Sequence, residues 1–121
     1  MSSFKKIAIF APARKPPIQS TLTRLLKLLE EQGIETIIPE AFDRHFVHEK
    51  IFSELGRDIL KLETKAGYIN IINKLLRQGA EGIILGCTEI PLLITQNDCS
   101  YPLFDTTVIH AKAAVEFALN D

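Results

Sequence analysis

Four short apolar runs, at residues 6–10, 34–38, 83–86 and 101–104, alternate along the chain with stretches of helical periodicity. This alternation constrains the fold more than any other feature. Runs of four or five apolar residues bounded by turn signals read as buried strands. Between them, Ile18, Leu22, Leu25, Leu26 and Leu29 recur at helical spacing, with Thr23, Arg24, Lys27 and Glu30 on the other side. Gly33 is the natural stop of that helix, and Pro39 closes the second strand. Asp43 is placed to cap a helix with Val47, Ile51, Leu55 and Ile59 on one face. A further helix starts near Thr64, carries Ile69, Ile72, Leu75 and Leu76, and ends at Gly79. Residues 88–94 read as a short helix and 96–100 as a polar loop. Asp105-Thr106-Thr107 opens a last helix whose apolar face includes Val108, Ala111, Val115 and Leu119.

Strand-helix alternation predicts an α/β fold: a single three-layer domain over residues 1–121, with a four-stranded parallel sheet flanked by helices. Right-handed crossovers favour the strand order 2-1-3-4. In such sheets ligands gather at the carboxyl ends of the strands, beside the switch point between strands 1 and 3. Three segments are expected there: the loop 12–17, residues 87–89 and residues 105–110.

Composition narrows the function classes. The 121 residues fit one domain, and 46% hydrophobic content suffices for one core. Fourteen basic and fifteen acidic residues are interspersed, so no basic footprint for nucleic acid or anionic membrane is expected. No apolar run reaches the roughly 18 residues of a membrane span. The start Met1-Ser2-Ser3-Phe4-Lys5-Lys6 is too short and polar for a secretory signal. Two cysteines at unrelated spacing make no disulfide framework, and a reducing cytoplasm is the expected location.

The chemistry-bearing residues fall into two clusters. Cys87 ends the third strand and precedes the expected short helix, whose N-terminus favours a thiolate and can hold an anionic group near the sulfur. A buried, inert core cysteine is the competing reading. Thr88 can cap that helix or donate to a substrate carboxylate. Glu89 can fix a substrate ammonium group or only stabilise the helix start. In the second cluster, Asp105 and Thr106 read first as caps. His110, in the expected first turn of the last helix, can act as general acid or base, orient a thiol, or simply pack. Arg14 and Lys15 can meet a carboxylate, although solvated loop charges are commoner. His45, His48 and Glu49 have a sparse metal spacing without a third strong ligand, so no metal is expected. Cys99 reads as a loop thiol with no partner. No glycine-rich phosphate loop, cysteine-phosphatase loop or CxxC pair is present.

The segments Gly79-Ala80-Glu81, Ile83-Ile84-Leu85-Gly86-Cys87-Thr88-Glu89-Ile90-Pro91-Leu92-Leu93, Pro102-Leu103-Phe104-Asp105-Thr106-Thr107 and Ile109-His110-Ala111 resemble the second domain of the aspartate/glutamate racemases, which use no pyridoxal or other cofactor. Gly33-Ile34-Glu35 to Pro39 and Ile51-Phe52-Ser53-Glu54-Leu55 also fit that domain. The resemblance implies two similar domains around a cleft, each with one catalytic cysteine. One thiolate removes the Cα proton and a thiol on the opposite face delivers another. It implies that Cys87 is the second-domain cysteine, Thr88 a carboxylate contact, and Glu89 and His110 substrate-site residues. Two features depart from the pattern. The first domain with its cysteine is missing, and the loop after strand 1 lacks the usual threonines. The expected partners are therefore a small amino-acid or dicarboxylate ligand together with a homodimer or a separate partner domain. The alternative is a catalytically incomplete half-enzyme or a dicarboxylate-binding domain.

Overall fold

The computed structural model describes residues 4–11 and 16–120, with side chains of the first helix from residue 23 onward. Arg14, Lys15 and most of the loop 12–17 lie outside the described residues. The sheet has the expected order. Strand β1 (Lys6–Phe10) lies between β2 (Glu35–Ile37) and β3 (Ile83–Leu85), and β4 (Leu103–Asp105) pairs with β3. Every pairing is parallel, with Phe10 level with Leu85 and Leu85 level with Asp105. Such short strands suit a sheet whose central members are covered on both faces.

Side-chain alternation divides the strands between two faces. Ala8, Phe10, Ile83 and Leu85 join the main core with α2 (Ala41–Ser53) and α3 (Leu62–Arg77). Ile7 and Ile9 are buried on the other face, where helix α1 (Pro16–Glu31) brings Leu25 beside Ile7. Gly33 takes φ +74 after α1 and Gly79 takes φ +101 after α3, as their stop roles require. Between α3 and β3, Glu81 accepts hydrogen bonds from the backbone N–H groups of Lys5 and Lys6, so the third strand's approach also fastens the start of the first.

Helices α2 and α3 run antiparallel and are joined at three levels. Lys74 Nζ meets Asp43 Oδ2 at 3.0 Å, the Tyr68 hydroxyl donates to the Val47 carbonyl at 2.9 Å, and the Thr64 hydroxyl donates to Glu54. Asp43 is therefore not the expected cap. Glu40 holds that position, without a side-chain cap bond, while buried Asp43 pairs with Lys74. A buried carboxylate needs such a partner more than the helix needs a cap. The helix also ends earlier than its apolar spacing implied. A tight turn at Leu55–Arg57 and the left-handed Asp58 (φ 60) carry Ile59 off the stripe and leave it exposed.

Two further expectations are corrected. Residues 88–94 form only a single 3₁₀ turn at Ile90–Leu92, because Ile90, Leu93 and Ile94 are drawn into the core and the chain turns back toward β4. The final helix α4 (Thr106–Leu119) forms as predicted but buries none of its residues. Its expected apolar face, at Val108, Ala111, Val115 and Leu119, meets no core. The sheet is covered on both faces at β1, and among the described residues its α1 face carries an apolar groove of about 260 Å³ beside β3 and β4. No helix among the described residues is long and apolar enough to cross a membrane.

Candidate functional site at the carboxyl edge of the sheet

Parallel strands end together, so their carboxyl ends bring distant segments to one edge. The Gly86 N–H donates to the Phe10 carbonyl at 2.9 Å, which locks the exit of β3 against the exit of β1. A Cβ on Gly86 would stand 2.8 Å from the Ala11 side chain. Only glycine permits this approach, and Cys87 follows directly. On the other side, the Thr106 hydroxyl donates to the Leu85 carbonyl at 2.9 Å. Thr106 thus ties the start of α4 to the end of β3 instead of capping the helix. Asp105 is the cap, accepting from the N–H groups of Thr107 and Val108.

Cys87 is half-buried, and its Sγ donates to Glu89 Oε2 at 2.9 Å. The Thr88 hydroxyl donates to the same carboxylate oxygen at 2.8 Å. These two bonds hold the Glu89 carboxyl below the usual range, the thiol contributing most. The thiol moves the other way. Burial pushes Cys87 up first, and its bond to Glu89 and that carboxylate's charge add to the rise. The backbone N–H groups of Glu89 and Ile90 oppose the rise without cancelling it. The expected thiolate at a helix N-terminus is therefore corrected to a thiol on a carboxylate. The physical reason is the missing helix: one 3₁₀ turn aligns too few peptide dipoles to outweigh burial and a neighbouring negative charge.

Burial above all, with the neighbouring acidic groups Cys87 and Glu54 behind it, keeps the hydroxyl of Tyr68, from α3, protonated well above the usual tyrosine range. Its ring packs edge-on against Phe10 and Phe46, and Cys87 packs against the core cluster to which Tyr68 and Phe10 belong. Tyr68 escaped the sequence reading because its spacing merges with the core stripe of α3. Beside the site, a pocket of about 240 Å³ is lined by Leu85, Pro91, Gln96 and Asp105 among others.

The structure gathers Cys87, Thr88 and Glu89 into one hydrogen-bonded group, and that group of bonds does not include His110. His110 is the fifth residue of α4, beyond its first turn, and is exposed. Cys99 is a free cysteine packed against the core. His45 forms an exposed ion pair with Glu49 at 3.5 Å, His48 packs against Phe52, and no metal-ligand group occurs among the described residues.

Three comparisons place this geometry among known proteins. Residues 19–114 match the Asp/Glu/Hydantoin racemase family model. An uncharacterized protein in the pnlA 3′ region of Pectobacterium carotovorum subsp. carotovorum is 34% identical over 91 residues, spanning 70% of this chain and 57% of that protein. A candidate Asp/Glu racemase from Yersinia pestis superimposes with TM-score 0.82 at 38% identity, over 97% of this chain and 50% of that one. An aspartate racemase homologue from Pyrococcus horikoshii OT3 gives TM-score 0.81 at 32% identity, over 98% of this chain and 50% of that one. The chain thus spans about half the length of these relatives.

Proposed function

The chain belongs to the Asp/Glu/Hydantoin racemase family, and on that premise we propose that it supplies one side of a cofactor-independent, two-base proton-transfer site. The substrate class is an aspartate- or glutamate-like amino acid. Cys87 is one acid/base, and another chain brings the second. The two free cysteines fit a reducing compartment such as the cytoplasm.

The observation that carries this reading is the Cys87–Glu89 contact of 2.9 Å at the exit of β3. It keeps Cys87 in its protonated form, ready to act as the acid. In the matching direction of the reaction, the opposing base removes the Cα proton from one face of the substrate. Cys87 then delivers its S–H proton to the other face, and the electron pair of that bond stays on sulfur. The resulting thiolate accepts from the N–H groups of Glu89 and Ile90. It returns to the thiol by taking the Cα proton when the enantiomer reacts in reverse. In this reading Thr88 redirects its hydroxyl from Glu89 to a substrate carboxylate, and the Glu89 carboxylate meets the substrate ammonium group. Such contacts matter most if they strengthen as charge develops at Cα. His110 enters the site only if the second chain brings substrate across to α4.

The test is exchange of the Cα hydrogen of aspartate and glutamate in heavy water, followed by NMR. Wild type is expected to exchange and Cys87→Ala to lose exchange. Equal exchange by both proteins would remove Cys87 from the chemistry. The span of only half the related chains favours one second reading, a half-site that binds a dicarboxylate without turnover. Thermal stabilisation by a dicarboxylate with no exchange, even by the assembled protein, is the result that selects it.

A further inference from the structure

Among the described residues, β4 is an outermost strand of the sheet. Its inner rim is paired: the Ile83 N–H donates to the Pro102 carbonyl at 3.0 Å. Backbone alternation turns the Tyr101 carbonyl and the Leu103 N–H to the opposite, outer rim. An outer rim of this kind is a template for another strand, and proteins commonly blunt it with charged side chains. The segment Tyr101-Pro102-Leu103-Phe104 carries no charge. One side chain from outside the strand occupies the rim instead. Gln96 Oε1 accepts from the Leu103 N–H at 2.9 Å. Its Nε2 donates to the Tyr101 carbonyl at 2.8 Å and to the Cys99 carbonyl at 3.0 Å. Donating to one carbonyl and accepting from the N–H two residues on is the pattern of a residue in a neighbouring parallel strand.

We propose that Gln96 guards the open edge of the sheet: its amide stands in for one residue of a fifth strand and denies β4 to the strands of other copies. Gln96 is exposed, so water could serve all of its donors and acceptors, and fixing so long a side chain costs rotamer entropy. Its nitrogen is nonetheless spent on two main-chain carbonyls beside that edge, and its oxygen on a main-chain N–H. These partners also set the orientation of the amide. The turn that carries Gln96 is itself fastened. Thr95 and Asp98 form a capping box around residues 96–98, and Asp98 Oδ1 meets Lys65 Nζ of α3 at 3.2 Å. The guard is thereby anchored to a helix of the core as well as to the strand it protects. The inference stands apart from the proposed reaction and holds whether or not that reaction occurs.

Sedimentation of the purified full chain, with amide hydrogen exchange read at Leu103, tests the guard. Gln96→Ala is expected to speed exchange at the Leu103 N–H by about fivefold or more. It is also expected to form species larger than the wild-type one, growing with concentration and showing the infrared band of intermolecular β-structure. Gln96→Lys loses the same bonds but sets a charge on the edge. It is expected to speed the same exchange while keeping the wild-type mass. Far-UV circular dichroism follows the fold of both variants. Gln96→Ala at wild-type mass over the same concentration range overturns the proposal. So does equal association of the two variants, or loss of the fold in either, because the amide then only holds the loop in place. Leu103 exchange unchanged by both substitutions overturns it as well.

Discussion

The Cys87 sulfur and the Glu89 carboxylate stand 2.9 Å apart, and the bond between them moves their proton affinities in opposite directions. A thiol that donates to a carboxylate is an acid awaiting a base. That polarity sets the order of proton movements proposed above, and it is open to direct measurement.

Alkylation of Cys87 reads that polarity in a Cys99→Ser background. Free cysteine titrates near 8.5. Burial and Glu89 place Cys87 higher, so its alkylation rate is expected to keep rising beyond that pH. Glu89→Gln removes the carboxylate's charge and its strong acceptor. The thiol should then titrate lower and react faster at pH 8. A rate profile unchanged by Glu89→Gln would contradict the contact.

Gly86→Ala tests how the edge is assembled. The new Cβ would meet the Ala11 side chain at 2.8 Å. Overpacking of this kind costs about 1–3 kcal/mol. The strain falls on the peptide that presents Cys87, so Cα exchange is expected to drop further than the lost stability explains. Chemical denaturation and the exchange assay on one preparation separate the two effects.

The buried Glu54 gives a pH-dependent signature. The Thr64 hydroxyl first, and Lys50 second, hold its carboxyl below the usual range. A carboxyl with a depressed folded-state pKa stabilises the fold above its unfolded pKa, and that contribution disappears as pH falls through the folded value. Stability is therefore expected to be retained at neutral pH and to fall in the acid range below about pH 4. Glu54→Gln should be less stable at pH 7 and show a flatter acid limb. Thr64→Val should cost about 1–3 kcal/mol at pH 7, because it strands a buried carboxylate oxygen.

Asp105→Ala probes a helix that has no core of its own. Asp105 accepts from two N–H groups at the start of α4, and an N-cap of this type contributes about 0.5–2 kcal/mol. Isolated helices near 14 residues are marginal in water. Amide hydrogen exchange along α4 is expected to accelerate in the variant while β1 and α3 keep their protection. Equal acceleration everywhere would mean that α4 is integral to the core.

The strands, their order and three long helices were legible because each depends on local pattern. The run from Lys6 to Phe10 is bounded in the structure as its residues suggested. Gly33 and Gly79 adopt the positive φ that their stop positions demand. The segment after Cys87 was misread for an equally physical reason. Ile90, Leu93 and Ile94 have a helix-like spacing, but the short path between β3 and β4 turns those side chains inward and permits only one turn. Asp43 looked like a cap because sequence does not show that Lys74, thirty-one residues later, arrives beside it.

By itself, the sequence determined the α/β alternation, the parallel order and the placing of Cys87 at a strand exit, since apolar periodicity and glycine stops act over a few residues. It also carried the motifs that mark the family. Only the tertiary structure decided the state of the thiol. Protonation depends on how deeply the sulfur is buried against the core and on which way Glu89 turns, and neither follows from spacing. The fate of α4 was settled at the same level. Its residues form the expected helix, but whether an apolar face is covered depends on what folds opposite it, and the chain's own core is closed by α2 and α3 on the far side of the sheet.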